Sequence, residues 1–223
     1  MALPNKVHAV LFDMDGLIVD SEVVFRDAMF AAAADGGFEL PQAVFHRMIG
    51  TSWTLGEAIL REHFGADFDT DAFAEASSER FYAQVAEAGL CLKAGVLELL
   101  DDLDRLALPR AVATSSSHEA VSRSLGPHGL PERFHAIVAR GDYAQAKPHP
   151  DPFLTAAARL AVEPAHCLVL EDSHNGVRAA HAAGMMAVMV PDLLDPTEEM
   201  RGLCCHIAED LHRVRDLLAA QAR

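Results

Sequence analysis

The sequence predicts an α/β fold: a doubly wound, Rossmann-like parallel sheet interrupted near its start by an all-helical insertion. Three observations carry this expectation. An apolar run from Val7 to Phe12, interrupted only by His8 and Ala9, stops on the carboxylates of Asp13 and Asp15. From residue 21 to residue 89 only helical patterns occur. From Gly95 onward short apolar runs alternate with amphipathic helices, the pattern of a parallel sheet covered on both faces.

Taken in order, the first run has the length and β-branched content of a strand buried on both sides. Asp20-Ser21-Glu22 reads as a helix start, and helix formers continue from Val23 to Ala34 until Gly36 and Gly37 stop them. Pro41 opens a short helix to Met48. Thr51 or Ser52 begins another over Trp53 to Phe64, closed by Gly65. Thr70 is expected to cap a longer helix to about Ala88, closed by Gly89. Then Val96, Leu99, Leu100, Leu103 and Leu106 form one apolar stripe. Strands are expected at Arg110 to Thr114, His135 to Ala139, Cys167 to Leu170 and Ala187 to Val190. Helices fall between them at His118 to Leu125, Asp151 to Leu160 (with Pro at its first position) and Asn175 to Ala183. Glu209 to Ala220 closes the chain. The expected division is a core of residues 1–17 and 93–223 and a helical cap, 18–92, over the carboxyl edge of the sheet. Cap motion about Leu17 to Asp20 and Cys91 to Gly95 would admit and exclude water.

The formal charge of −15 argues against nucleic acid or an anionic membrane as partner. An anionic substrate must therefore be met by a local site. The N-terminus shows no signal-peptide pattern, and no apolar run approaches the length of a membrane span. Cys91, Cys167, Cys204 and Cys205 have no metal-ligand spacing and read as reduced, buried thiols, with Cys204-Cys205 as a redox pair the lesser alternative. A cytoplasmic monomer is the expectation.

In open α/β sheets ligands bind beyond the carboxyl ends of the strands. Asp13 and Asp15 stand at the first such end, Thr114 and Ser115 at the second, Lys147 in the loop after the third, and Glu171 and Asp172 at the fourth. Two adjacent carboxylates repel unless a cation neutralises them, and Mg²⁺ does so with oxygen ligands. The set suits phosphoryl transfer, in which catalysis is mostly positioning and electrostatics. Asp13 would attack phosphorus, and Asp15 would protonate the leaving oxygen and then activate water. Lys147, Thr114 and Ser115 would meet the phosphate; Asp172, Asp13 and the Asp15 carbonyl would hold the metal. Each piece alone also suits a strand-end turn, a helix cap or a solvated loop. Their occurrence in order carries the argument.

Four segments resemble the motifs of the haloacid dehalogenase superfamily, in its phosphatase and β-phosphoglucomutase branch. They are Asp13-Met14-Asp15-Gly16-Leu17-Ile18-Val19-Asp20-Ser21-Glu22, Val112-Ala113-Thr114-Ser115, Lys147-Pro148-His149-Pro150-Asp151 and Glu171-Asp172-Ser173-His174-Asn175-Gly176. The resemblance implies the roles given above, with Glu171 as a further ligand whose role varies. It also implies departures. Dehalogenases lack an acid/base Asp at the Asp15 place. Phosphomutases carry a cap His where Phe25 stands and a phosphate-holding Arg where Trp53 stands, three residues after Gly50. Hydrolysis of small phosphate monoesters, sugar- or nucleotide-like, is therefore favoured over mutase activity. Trp53 and Arg47, near Met48 and Thr51, are candidates for leaving-group recognition, with packing inside the cap the alternative for Trp53. A signalling receiver, with its phosphorylated Asp on an interior strand and no helical insertion, and a non-catalytic phosphate binder are the readings from other classes.

Overall fold

The computed structural model describes residues 3–49, 51 and 53–221. Gly50 and Ser52, to which the expected start of the third helix and the Trp53 comparison refer, lie outside the described residues. The chain divides into two compact units, residues 1–19 with 91–223 and residues 20–90.

The first unit is built on β1 (Ala9–Phe12), whose four side chains are wholly buried. It continues through α5 (Val96–Arg105), β2 (Arg110–Ala113), α6 (His118–Leu125), β3 (Ala136–Val138), α7 (Asp151–Leu160) and β4 (Cys167–Glu171). Then come α8 (His174–Ala182), β5 (Met186–Met189), α9 (Glu198–Leu203), β6 (His206–Ile207) and α10 (Leu211–Gln221). The strands form one parallel sheet in the order β3-β2-β1-β4-β5-β6. This is the doubly wound order whose ligand crevice lies where the strand sequence reverses, between β1 and β4.

Register positions the chemistry. Phe12 pairs with Val112 on one side and with Leu170 on the other. One residue further, the Asp13 amide donates to the Leu170 carbonyl at 3.0 Å, so Asp13 emerges beside Glu171. Thr114 leaves β2 on the other flank, its amide donating to the Val138 carbonyl. Beneath this edge Leu11, Val169, Phe153 and Val177 pack with the small Ala113 and Ala156, which let α7 approach the sheet closely.

The second unit holds α1 (Ser21–Asp35), α2 (Gln42–Met48), α3 (Trp53–Phe64) and α4 (Thr70–Ala88). Helices α1 and α4 pack together, with Phe25 meeting Phe81 edge-on at 5.7 Å. Phe38 centres an aromatic cluster with Phe64, Phe68 and Phe73 at 5.1, 5.2 and 5.5 Å.

The structure corrects several sequence expectations. The cap of α4 is Asp69, whose carboxylate accepts from the Ala72 amide. Thr70 begins the helix, and its hydroxyl donates to Glu57 and accepts from Arg61. Asp20 stands at the cap position of α1 without a side-chain capping bond. Pro150 occupies the cap position of α7, so Pro152 comes one residue later than expected. Helix α9 and strand β6 were not anticipated: β6 has two residues, too few for a periodic signal. Cys91 is exposed, not buried. Burial pushes the Cys204 and Cys205 thiols up to about 11, which suppresses the thiolate a redox pair needs. Among the described residues no helix is long and apolar enough to cross a membrane.

Gly95 ties the start of α5 to α10. Its φ is +87°, and a Cβ there would lie 2.6 Å from the His212 amide nitrogen and 2.9 Å from the Leu211 carbonyl carbon. Both contacts are backbone, so no side chain can yield. Gly95→Ala is expected to cost roughly 1–3 kcal/mol of stability in urea unfolding, from overpacking and left-handed strain together.

Candidate active site

The loop after β1 is a compact turn. The Ile18 and Val19 amides donate to the Met14 carbonyl at 2.8 and 3.2 Å, and the Gly16 amide donates to the Val19 carbonyl. Gly16 adopts φ +73°, and a Cβ there would stand 2.3 Å from Asp172 Oδ2. Glycine is therefore required twice, for the turn and for the approach of the Asp172 loop. The turn leaves the Asp13 and Asp15 side chains at the carboxyl edge of the sheet.

Lys147 reaches the same place from the loop after β3. Its ammonium lies 2.5 Å from Asp13 Oδ1 and 2.6 Å from Glu171 Oε1, with its side chain only 6 % exposed. It also sits over the Phe153 ring, 4.8 Å from the centroid. Glu171 is wholly buried at the end of β4. Its Oε2 accepts from the Ser173 amide at 3.1 Å and the Ser173 hydroxyl at 2.9 Å. The same hydroxyl accepts from the Gly176 amide and so caps α8. A Cβ on Gly176 would come within 1.8 Å of Glu171 Oε1, so this helix start is shaped around the carboxylate.

Electrostatics at this edge are strongly perturbed. Burial pushes the Asp13 carboxyl up to about 8; Glu171 and Asp15 push the same way, and Lys147 opposes them. Burial works against the Lys147 charge as well, but Asp13 and Glu171 outweigh it and hold the amine above the ordinary lysine range. Asp13, Glu171 and Asp172 are all buried, and one carboxylate oxygen from each lies within 4.8 Å of the others. This donor set is all hard oxygen, which fits Mg²⁺ or a similar divalent cation better than a soft metal.

The remaining predicted residues fall as follows. Asp15 Oδ2 accepts from the Ser116 hydroxyl at 2.7 Å. Thr114 is buried, and its hydroxyl accepts from the Ser116 amide at 3.0 Å, which leaves the hydroxyl proton to be donated elsewhere. Ser115 is exposed beside it. His118 pairs with Asp142 at 3.0 Å, and His174 bonds the Asp195 carbonyl at the surface. In the helical unit Arg47 pairs with Glu62 at 2.6 Å. Trp53 is 42 % exposed, and the buried residues of α3 are instead Gly56, Ile59 and Leu60.

Two site residues escaped the sequence reading. Ser116 looked like part of a helix-cap run, yet only Ser117 caps α6, and Ser116 orients Asp15. Tyr143 donates to the Thr114 carbonyl at 3.1 Å and so fixes the end of β2. Spacing from the strand end marks Ser116; nothing in the sequence marks Tyr143.

A sequence model of the haloacid dehalogenase-like hydrolases matches residues 7–184. The chain is 33% identical over 198 residues to the fructose-1-phosphate phosphatase YqaB of Escherichia coli, covering 83% of this chain and 97% of that one. It is 32% identical over 205 residues to protein CbbY of Cereibacter sphaeroides, covering 88% and 89%. The crystal structure of CbbY from Rhodobacter sphaeroides in complex with phosphate superposes with a TM-score of 0.78 at 28% identity, covering 94% and 96%. A mutant of that CbbY, solved with xylulose-(1,5)bisphosphate, gives 0.77 at 28% identity over 92% and 95%.

The raised Asp13 pKa sets a pH dependence of stability. The metal-free fold keeps this proton up to about 8, whereas an ordinary aspartate releases it near 3.8. Within that window the folded chain binds more protons than the unfolded one, so stability falls as pH rises. In chelated buffer the thermal midpoint is expected to decline between about pH 5 and about pH 8. Asp13→Asn should lessen the decline and added Mg²⁺ should reverse it. Equal slopes for parent and variant would mean that Asp13 titrates normally.

Proposed function

The chain belongs to the haloacid dehalogenase-like hydrolases, and from that premise we propose a Mg²⁺-dependent phosphatase that hydrolyses small phosphorylated metabolites through an aspartyl-phosphate on Asp13. The observation that carries this reading is the convergence on one sheet edge of Asp13, Lys147, Glu171 and Asp172 with an Asp15 held by Ser116.

Asp13 attacks phosphorus, and the bond to the ester oxygen breaks. Asp15 gives its proton to the leaving alcohol. In the second half Asp15 takes a proton from water as that water attacks phosphorus; this frees inorganic phosphate and restores the Asp13 carboxylate. Ser116 holds one Asp15 oxygen, which restricts the carboxylate's rotamer. Lys147 keeps Asp13 placed and offsets negative charge that would repel the substrate. Thr114 supplies a hydroxyl donor to the phosphoryl oxygens, with Ser115 beside it. Asp13, Asp172, Glu171 and the Asp15 carbonyl would hold Mg²⁺, which supplies positive charge to the phosphoryl group when bound.

For the leaving group we favour a sugar phosphate, with a nucleotide-like ester the alternative. A relative named for fructose 1-phosphate and a neighbour solved with a pentulose bisphosphate support the former. Trp53 and Arg47 remain the candidates for recognising it, and the exposure of Trp53 supports that role over internal packing. The mutase alternative gains nothing from Phe25, which is engaged with Phe81.

The test is phosphate release from a panel of phosphorylated metabolites. Release should require Mg²⁺ and drop at least about a thousandfold in Asp13→Asn. Trp53→Ala should raise KM for the preferred ester several-fold more than it lowers kcat. Release that survives chelation or Asp13→Asn would overturn the reading.

A further inference from the structure

A second lysine–carboxylate pair borders the Asp172 loop. Lys93 Nζ lies 2.7 Å from Asp192 Oδ1, and the Asp192 side chain is only 7 % exposed. Lys93 belongs to the segment that returns from the helical unit, where its amide donates to the Ile18 carbonyl at 2.9 Å and Leu92 bridges Val19. Asp192 is the first carboxylate beyond the end of β5. Lys93 satisfies only half of it: Oδ2 is buried and has no hydrogen-bond partner among the described residues. A buried carboxylate oxygen left unsatisfied is costly and calls for a ligand.

The direction of that oxygen is known from the Gly16 turn. The point where a Gly16 Cβ would stand is 2.3 Å from Asp172 Oδ2 and 3.2 Å from Asp192 Oδ2. The two carboxylates thus flank the same turn, the one that carries Asp13 and Asp15. Asp192 is not among the carboxylates that could share a cation directly; those are Asp13, Glu171 and Asp172. Its place suits the next layer. Carboxylates in such a layer orient ligands and bound water and tune affinity for the ion.

Resting on the metal-site reading above, we propose that Asp192 is a positioning residue of the metal centre. Its Oδ2 accepts a hydrogen bond from water bound to the cation, while Lys93 takes the other oxygen. Lys93 also offsets the charge of this additional acid, so that the site tolerates it before the ion arrives.

The experiment is calorimetric titration of Mg²⁺ alone into the 223-residue chain, with electron paramagnetic resonance of bound Mn²⁺ as a readout independent of turnover. Asp192→Asn keeps the shape of the side chain and an oxygen for Lys93 but loses the negative charge. It is expected to weaken Mg²⁺ binding about tenfold or more and to alter the Mn²⁺ spectrum. Lys93→Met removes the counter-charge and is expected to bind the ion at least as tightly as the parent. An Asp192→Asn affinity within twofold of the parent overturns the proposal. So does equal weakening by both substitutions, since that would report shared loop packing and not charge. Asp172→Asn serves as the control. If it also binds Mg²⁺ like the parent, the metal-site reading itself has failed; if it alone is weakened, only the role of Asp192 has.

Discussion

The buried contact of Lys147 with Asp13 and Glu171 is the constraint around which the rest is arranged. An ammonium group with this little solvent needs two carboxylates, and two carboxylates that close need the ammonium. Each participant is held by a different element: Asp13 by β1, Glu171 by β4, Lys147 by the loop before α7. The register of β1 with β4 and the capping of α8 by Ser173 then become conditions for burying charge, not only for packing. Asp13, Glu171 and Asp172 bring three buried carboxyl groups together against the one Lys147 ammonium, a surplus of negative charge that a divalent cation would offset. Stability is thereby linked to loading the site, since an ion that binds only the folded chain stabilises it by mass action.

Much of this was legible in the sequence because strand ends obey a positional rule. Apolar runs that stop on polar residues marked Asp13, Thr114 and Glu171-Asp172, and topology alone brings such ends to one edge. Helix boundaries in the 20–90 unit were read well where Gly punctuates them, at Gly36, Gly65 and Gly89. Errors occurred where competing local chemistry decides. Asp69 and Thr70 are both good caps, and the carboxylate took the position while the hydroxyl joined Glu57 and Arg61. Strand β6 has no pattern of its own; it exists because β5 offers an unpaired edge. Lys147 was expected to face phosphate, but no spacing could reveal that its partners in the resting fold are Asp13 and Glu171. Asp192 follows the strand-end rule at β5, one residue beyond Pro191.

The helical unit carries a different kind of information. Its interior is aromatic, with Phe38 among Phe64, Phe68 and Phe73, and these contacts account for its fold. The chemistry at the sheet edge is generic to phosphate esters. Under the proposed function, discrimination between esters would come from side chains that packing leaves available, for which the exposed Trp53 is the candidate named above.

The central position of β1 has a consequence for synthesis. It precedes both strands it pairs with: one neighbour begins at Arg110 and the other at Cys167. Residues 13 to 109, close to a hundred and including the whole helical unit, separate it from the nearer strand it pairs with, whereas the aromatic cluster of the helical unit lies within its own segment. On the ribosome the helical unit can therefore fold while β1 waits, exposed and strongly apolar. Asp13, the proposed nucleophile, is translated before both of the strands that flank it. Loop closure over this sequence separation favours slow assembly of the sheet. During that interval the Val7–Phe12 segment is the part of the nascent chain most in need of protection from aggregation.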